Sequence, residues 1–264
     1  MQNPWIRPNR PLIVAHRGYS TRAPENTMAA YQLAVESGTE MIEADVNITR
    51  DGVPVMIHDW HLRRTANVQA AVHDLSLSEL RKLDVGSWFG ENFAGTKIPT
   101  TEELLQFAKD SGILMCFEIK GDNPKRSIQI AESVLDLFER YDAFEWSFMS
   151  SYWHEALAVV KNKAPQLLLA PERLPDNVEP DIPEAIRQAK DLNAEVLQIH
   201  YDYLYEDVLS SLRRESIALW AWPTTSEEAI VKAIKAGADG IMGDDPGLEV
   251  KLVNQYCSSE GVSS

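Results

Sequence analysis

The chain lacks most of what would tie it to an oxidising, membrane or nucleic-acid setting. It holds two cysteines in 264 residues, Cys116 in an apolar run and Cys257 in the polar tail. Their separation matches no metal-ligand spacing and two thiols make no disulfide framework, so both are expected to be free. No apolar stretch approaches the roughly 20 residues that cross a bilayer, so no stable membrane insertion is expected. Residues 1–11 contain no apolar segment of the secretory type, and a cytoplasmic location is the resulting expectation. Positive charge is also scarce. Twenty-five Lys and Arg stand against 40 Asp and Glu, a net charge of −15. Such a surface repels nucleic acid and anionic lipid. It repels phosphate esters too, so a phosphate site in this chain must be made locally positive. There is no glycine-rich nucleotide loop, and no Gly-x-Ser-x-Gly turn to support serine hydrolysis.

What is present is alternation. Apolar runs of strand length fall at 12–16, 41–48, 114–119, 146–149, 167–170, 196–199, 218–222 and 240–242. Helical stretches lie between them, for example at 27–37, 102–111, 127–140, 184–191 and 227–236. Eight strand–helix units predict an α/β fold of the closed (β/α)8 type, which reaches about 250 residues as a single domain. The whole chain, 1–264, reads as one such catalytic domain. A ninth run at 53–58 follows the second strand after Thr49-Arg50-Asp51-Gly52. A parallel partner needs a crossover of about a dozen residues, so this run must return antiparallel as a hairpin. Residues 59–98 then read as a small insertion at the catalytic rim, with a short helix at 76–83. The tail after Tyr256 is expected to fray.

The hairpin decides where the chemistry lies. In Met41-Ile42-Glu43-Ala44-Asp45-Val46-Asn47-Ile48, alternate residues share a face. Ile42, Ala44, Val46 and Ile48 would pack on helices, and Glu43, Asp45 and Asn47 would face the barrel mouth. Folding the next run back brings His58 close to Glu43 and Asp45. Leu114-Met115-Cys116-Phe117-Glu118-Ile119-Lys120 repeats the logic, with Glu118 and Lys120 inward. Adjacent inward carboxylates repel unless a cation lies between them. Hard oxygen donors suit Mg2+ or Ca2+. The rival reading is a set of salt bridges closing the rim. His16-Arg17-Gly18 ends the first strand. His16 and His58 at one rim could move protons in opposite directions, and Arg17 could grip a phosphate oxygen. Asp239 and Asp244, flanking the last strand, read as turn residues rather than ligands. His61 and His73 read as surface residues, His154 as the start of a helix, and His200 as structural. Trp220 reads as core, and Trp222 could stack on substrate at the rim.

Taken together, His16-Arg17-Gly18, Pro24-Glu25-Asn26-Thr27, Glu43-x-Asp45, Thr49-x-Asp51-Gly52, Val55-x-x-His58-Asp59 and Phe117-Glu118-Ile119-Lys120 resemble the glycerophosphodiester phosphodiesterases. The resemblance continues through Gly86-Ser87-Trp88-Phe89 and Ile98-Pro99-Thr100 to Gly237-x-Asp239-Gly240-Ile241. It implies a (β/α)8 barrel with one divalent ion, Mg2+ or Ca2+, held by Glu43, Asp45 and Glu118. It implies His16 and His58 as the acid/base pair, and Arg17, Lys120 and Trp222 on the substrate. Asn26 would organise the site from behind, and Thr27 would cap the next helix. The implied substrates are small glycerophosphodiesters such as glycerophosphocholine and glycerophosphoethanolamine, cleaved to sn-glycerol 3-phosphate and an alcohol. A lysophospholipase D or sphingomyelinase D type of phosphodiesterase is the alternative, and a non-catalytic phosphodiester-binding barrel a third. One departure stands out. The family commonly has Trp-Thr-Val-Asn after the seventh strand, and here Trp222-Pro223-Thr224-Thr225 takes its place.

Overall fold

The computed structural model describes residues 3–172 and 181–257. It opens with β1 (Leu12–His16), α1 (Met28–Glu36), β2 (Met41–Ile48) and β3 (Pro54–Met56), followed by the short helices α2 (Arg63–Ala66) and α3 (Leu77–Leu80). Next come α4 (Thr101–Ser111), β4 (Leu114–Ile119), α5 (Pro124–Tyr141), β5 (Ser147–Ser150), α6 (His154–Lys163) and β6 (Leu168–Leu169). The chain closes with α7 (Ile182–Asp191), β7 (Val196–His200), α8 (Glu206–Arg214), β8 (Ala218–Trp222), α9 (Glu227–Ala236), β9 (Gly240–Gly243) and α10 (Pro246–Cys257).

Eight strands pair in the order β6-β5-β4-β2-β1-β9-β8-β7, and every ladder among them is parallel. The two ends of this series meet. Gln198 on β7 donates its backbone N–H to Pro171 O at 3.0 Å and its amide to Ala170 O at 2.7 Å. The eight strands therefore form a nearly closed barrel, as the alternation predicted. Strand bounds moved slightly. The run at 146–149 forms a strand one residue later. The run at 167–170 shortens to Leu168–Leu169, because Pro171 has no N–H with which to extend a ladder. The helix expected at 76–83 is confined to Leu77–Leu80. The fraying expected of the tail falls mostly on residues 258–264, outside the described residues, while Cys257 still belongs to α10.

The hairpin is present, with Val46 opposite Met56 and Ile48 opposite Pro54. Its ladder is shorter than the run at 53–58. After Met56 the chain turns to α4, where Met56 N donates to Pro99 O at 2.9 Å. Asn47 then holds the departing strand, its amide donating to Ile57 O at 2.8 Å and His58 O at 3.2 Å. An inward side chain of β2 thus fixes the backbone of His58.

Alternation along each strand divides the apolar residues in two. Ile13, Ala15, Ile42, Ala44, Val46, Phe117 and Ile119 pack outward in the larger core with the helices. Leu12, Val14, Met41, Cys116, Phe148, Ala218, Trp220 and Met242 fill the barrel interior. Trp220 is fully buried there, 5.1 Å from Phe148 between ring centroids. It leaves no room beside it: a Cβ on Gly240 would lie 2.4 Å from its Cδ1. The N-terminal segment covers the floor, Asn3 donating to Glu195 O at 2.7 Å and Ser216 O at 2.8 Å. Asp239 belongs to that floor. It is fully buried and accepts from Arg213 Nη1 at 2.5 Å, Arg7 N at 2.6 Å and Leu219 N at 2.8 Å. It is no ligand, as expected, but it is an anchor rather than a turn residue. The segment after β3 carries its own small core of Leu62, Val72, Leu80, Val85 and Ile98, seated on Val55 and Ile57. His61 and His73 are half-buried around Trp60, with centroids 5.1 and 6.4 Å from its ring. The expectation of surface positions for them is corrected. Among the described residues no helix is long and apolar enough to cross a membrane.

One buried carboxyl outside the mouth gives the fold a pH signature. Glu249 on α10 is fully buried, accepts from Thr224 Oγ1 at 2.5 Å, and its Oε2 has no hydrogen-bond partner. Burial pushes this group well above its ordinary 4.5 against the Thr224 bond, with the charges of Asp244 and Asp245 adding to the rise. Between those two values the folded state binds one proton more than the unfolded state, so stability falls as pH rises through the window. Glu249→Gln should remove that slope. Melting curves from pH 5 to 9 should show the variant overtaking the wild type as pH increases; parallel curves would contradict the assignment.

Candidate active site

The C-terminal ends of β1, β2 and β4 bring the predicted residues together. Parallel register sets Glu43 beside His16 and Asp45 beside Glu118. Carboxylate oxygens of Glu43, Asp45 and Glu118 lie within 4.8 Å of one another, and all three residues are buried. His16 Nε2 is 3.9 Å from Glu43 Oε2. Arg17 N donates to the same oxygen at 3.1 Å, and Arg17 Nε lies 3.0 Å from Asp45 Oδ2. Lys120 pairs with Glu118 and reaches within 3.1 Å of Asp45 Oδ1.

The backbone is bent to make this possible. Arg17 and Asn26 both sit in the left-handed region, at φ 58° and 56°, a conformation that costs a non-glycine residue and collects at functional sites. Gly18 follows at φ 82°, where a Cβ would lie 2.7 Å from the Ala30 carbonyl carbon. Only glycine lets the turn press against α1. Asn26 repays its strain by gripping Asp45. Its Nδ2 donates to Asp45 Oδ2 at 2.6 Å, and its Oδ1 accepts from Asp45 N at 3.0 Å and Tyr31 OH at 3.1 Å. Thr27 caps α1 by accepting from Ala30 N.

Electrostatics distinguishes the three carboxylates. Asp45 is held well below the ordinary range because Lys120 and Arg17 outweigh its burial. Burial, with Asp45 and Glu118 nearby, pushes Glu43 well above it. Burial and the neighbouring Glu172 push Glu118 up to about 8 despite Lys120. Three clustered carboxylates cannot all stay ionised in so dry a site without added positive charge. The donors themselves indicate which charge suits them. All are hard oxygens, and Glu43 Oε1 and Asp45 Oδ1 are buried with no hydrogen-bond partner among the described residues. That donor set fits a divalent cation of the Mg2+ or Ca2+ type.

Both histidines are held the same way. His16 Nδ1 is 2.7 Å from Asp244 Oδ1, and His58 Nδ1 is 2.7 Å from Asp59 Oδ1. A carboxylate on Nδ1 fixes the tautomer and leaves Nε2 as the working nitrogen. Asp244 also accepts from Ser20 Oγ at 3.1 Å. Burial works against the ionised form of Asp59, but the hydrogen bonds from Arg64 and His58 prevail and hold it at about 2.

Residues 16–248 match the glycerophosphoryl diester phosphodiesterase family. A glycerophosphodiester phosphodiesterase of Caldanaerobacter subterraneus subsp. tengcongensis is 36% identical over 244 residues, 92% of this chain and 98% of its own length. The chain belongs to the glycerophosphoryl diester phosphodiesterase family. It is a phosphoric diester hydrolase. A Bacillus altitudinis glycerophosphodiester phosphodiesterase is 31% identical, covering 91% of this chain and 97% of its own. The Oleispira antarctica phosphodiesterase, solved with the product sn-glycerol 3-phosphate, superposes with a TM-score of 0.83 at 25% identity. That match covers 93% of this chain and 97% of the other.

Five of the eight predicted site residues, His16, Arg17, Glu43, Asp45 and Glu118, meet directly with Lys120 as a sixth. His58 flanks them on the hairpin. Trp222 stands across the mouth at the end of β8, its ring centroid 6.0 Å from that of His200, and the Trp222–Pro223 bond is cis. Reading Asp244 as a turn residue is corrected, since it is a partner of His16. Asp59, Glu25, Arg64 and Glu172 were also given no role by the sequence. Asp59 adjoins His58 and Glu25 lies within a motif, so both left a signal. Glu172, buried beside Glu118 and Lys120, left none.

Proposed function

We propose that the chain hydrolyses small glycerophosphodiesters, such as glycerophosphocholine and glycerophosphoethanolamine, to sn-glycerol 3-phosphate and an alcohol. The observation that carries this reading is the pair of carboxylate-held histidines flanking a buried triad of acidic oxygens. Glu43, Asp45 and Glu118 would hold one divalent ion, Mg2+ or Ca2+. When bound there, such an ion supplies positive charge to the phosphate and acidifies a hydroxyl.

The remaining work falls to the protein's own side chains. Arg17 and Lys120 offer fixed cations to the nonbridging phosphate oxygens. Burial disfavours both charges, yet the surrounding carboxylates raise both pKa values and keep the cations ionised. One histidine Nε2 accepts the proton of the attacking hydroxyl, and the other donates a proton to the departing alkoxide. Asp244 and Asp59 stabilise the imidazolium that forms on each. Trp222, half-buried opposite the triad, offers an apolar face to the glycerol or alcohol moiety.

The test is product analysis. With glycerophosphocholine and either metal, sn-glycerol 3-phosphate and choline should accumulate in equal amounts, and faster than any product from lysophosphatidylcholine. Faster turnover of the lysophospholipid, or no hydrolysis of either, would contradict the proposed substrate class.

A further inference from the structure

Two carboxylates near the mouth each serve a working residue, and each is shared with the same third group. Asp59 Oδ1 contacts His58 Nδ1 at 2.7 Å and also accepts from Arg64 Nη2 at 3.2 Å. Asp59 Oδ2 accepts from Arg64 Nε at 2.9 Å. Glu25 repeats the pattern. Its Oε1 accepts from Arg17 Nη1 at 3.1 Å and from Arg64 Nη2 at 2.7 Å, and its Oε2 accepts from Arg64 Nη1 at 2.7 Å. One guanidinium therefore makes four hydrogen bonds to two carboxylates. Neither carboxylate touches Glu43 or Glu118, so this cluster is separate from the triad's own ligation. Trp88 stands beside the hub, with the guanidinium carbon 5.9 Å from its ring centroid.

We propose that Arg64 is a positioning residue that joins the acid/base histidine to the phosphate clamp, setting Asp59 against His58 and Glu25 against Arg17 together. The inference rests on the roles given above to His58 and Arg17. Its physical basis is charge balance. Asp59 and Glu25 carry two negative charges, and Arg64 and Arg17 carry two positive ones. Removing Arg64 leaves a net negative charge beside the place where a phosphodiester must bind. It also leaves Glu25 with Arg17 as its sole strong partner, so the clamp is drawn to the protein instead of the substrate. Asp59 loses the two bonds that stop it from rotating away from His58. Lysine cannot replace this fork, because an ammonium is a point charge that reaches one carboxylate well. The short helix α2 holds Arg64 in place through Leu62 and Thr65, which are buried in the small core beneath it.

The experiment compares the wild type with Arg64→Ala, Arg64→Lys, Glu25→Gln and the double variant Arg64→Ala/Glu25→Gln, using glycerophosphocholine and saturating metal. Misplacing both groups should lower kcat/KM in Arg64→Ala by about 10²-fold, with kcat falling and KM rising together. Arg64→Lys should stay nearer to the alanine variant than to the wild type. The double variant should be no worse than Arg64→Ala, because both substitutions disable one unit. Arg64 is 40% exposed, and melting temperatures check folding. Should the alanine variant not fold, a kcat/KM loss of about tenfold or more in a folded Arg64→Lys, with KM again rising, carries the same conclusion. Wild-type kinetics in Arg64→Lys, or losses that multiply in the double variant, would overturn the inference. A wild type that leaves glycerophosphocholine intact would instead overturn the proposed function, so the two failures are distinguishable.

Discussion

His16→Ala and His58→Ala should each lower kcat by about 10² to 10⁴-fold, the span that positioned proton transfer contributes. Each should leave the melting temperature close to that of the wild type, because neither ring belongs to the core. The side chains are 20% and 35% exposed. The losses should not multiply in the double variant, since a diester whose leaving group is not protonated gains little from an activated attacking hydroxyl. The carboxylates behind the rings sharpen the prediction. Asp244→Asn keeps the size of the residue but presents an amide to His16 Nδ1, which favours the wrong tautomer, and kcat should fall by about 10²-fold or more with little change in KM. Asp59→Asn should do the same to His58. An Asp244→Asn variant with wild-type kcat would show that the 2.7 Å contact plays no part in turnover. Steady-state kinetics with glycerophosphocholine checks all four.

Glu43→Gln should nearly abolish turnover while making the metal-free protein more stable. The two effects have one cause. Without a cation, Glu43 faces Asp45 and Glu118 in a dry pocket, and its Oε1 has no partner. An amide removes the repulsion, and its oxygen can still accept from Arg17 N, which now lies 3.1 Å from Glu43 Oε2. The amide also removes a hard anionic ligand. A divalent ion contributes several kcal/mol to the transition state of such reactions, and losing it corresponds to about 10³-fold or more in rate. Melting curves provide the second readout. At one hundred times its Kd, a bound ion stabilises the folded state by about 2.7 kcal/mol. The wild type should therefore melt higher when Mg2+ or Ca2+ is added, and Glu43→Gln should not respond. A wild type that ignores both ions, beside an active Glu43→Gln, would contradict the metal assignment.

Much of the site was legible because strands impose simple rules. A period of two puts Glu43, Asp45 and Asn47 on one face, and a four-residue link can only make a hairpin, so His58 had to return to the triad. Asp244 shows where those rules stop. It lies 228 positions from His16, and its contact exists because ring closure sets β9 beside β1. Asp239 and Asp244 look alike in sequence, next to glycines at the two ends of one four-residue strand. One end is the barrel floor and the other the mouth, so one became an anchor and the other the partner of a histidine. The left-handed backbone at Arg17 and Asn26 was also hidden. No propensity predicts it, and it is sustained by tertiary bonds such as the grip of Asn26 on Asp45. Arg64 was missed for a similar reason. A lone arginine in an insertion reads as solvated until the fold supplies two carboxylates at once.

The most direct test of the triad is hydrolysis by protein stripped of divalent ions and shown metal-free by mass spectrometry. Release of sn-glycerol 3-phosphate from glycerophosphocholine should be absent in chelator and return when Mg2+ or Ca2+ is restored, with no recovery in Glu43→Gln. Undiminished release by the metal-free wild type would mean that Glu43, Asp45 and Glu118 serve the fold and not the chemistry.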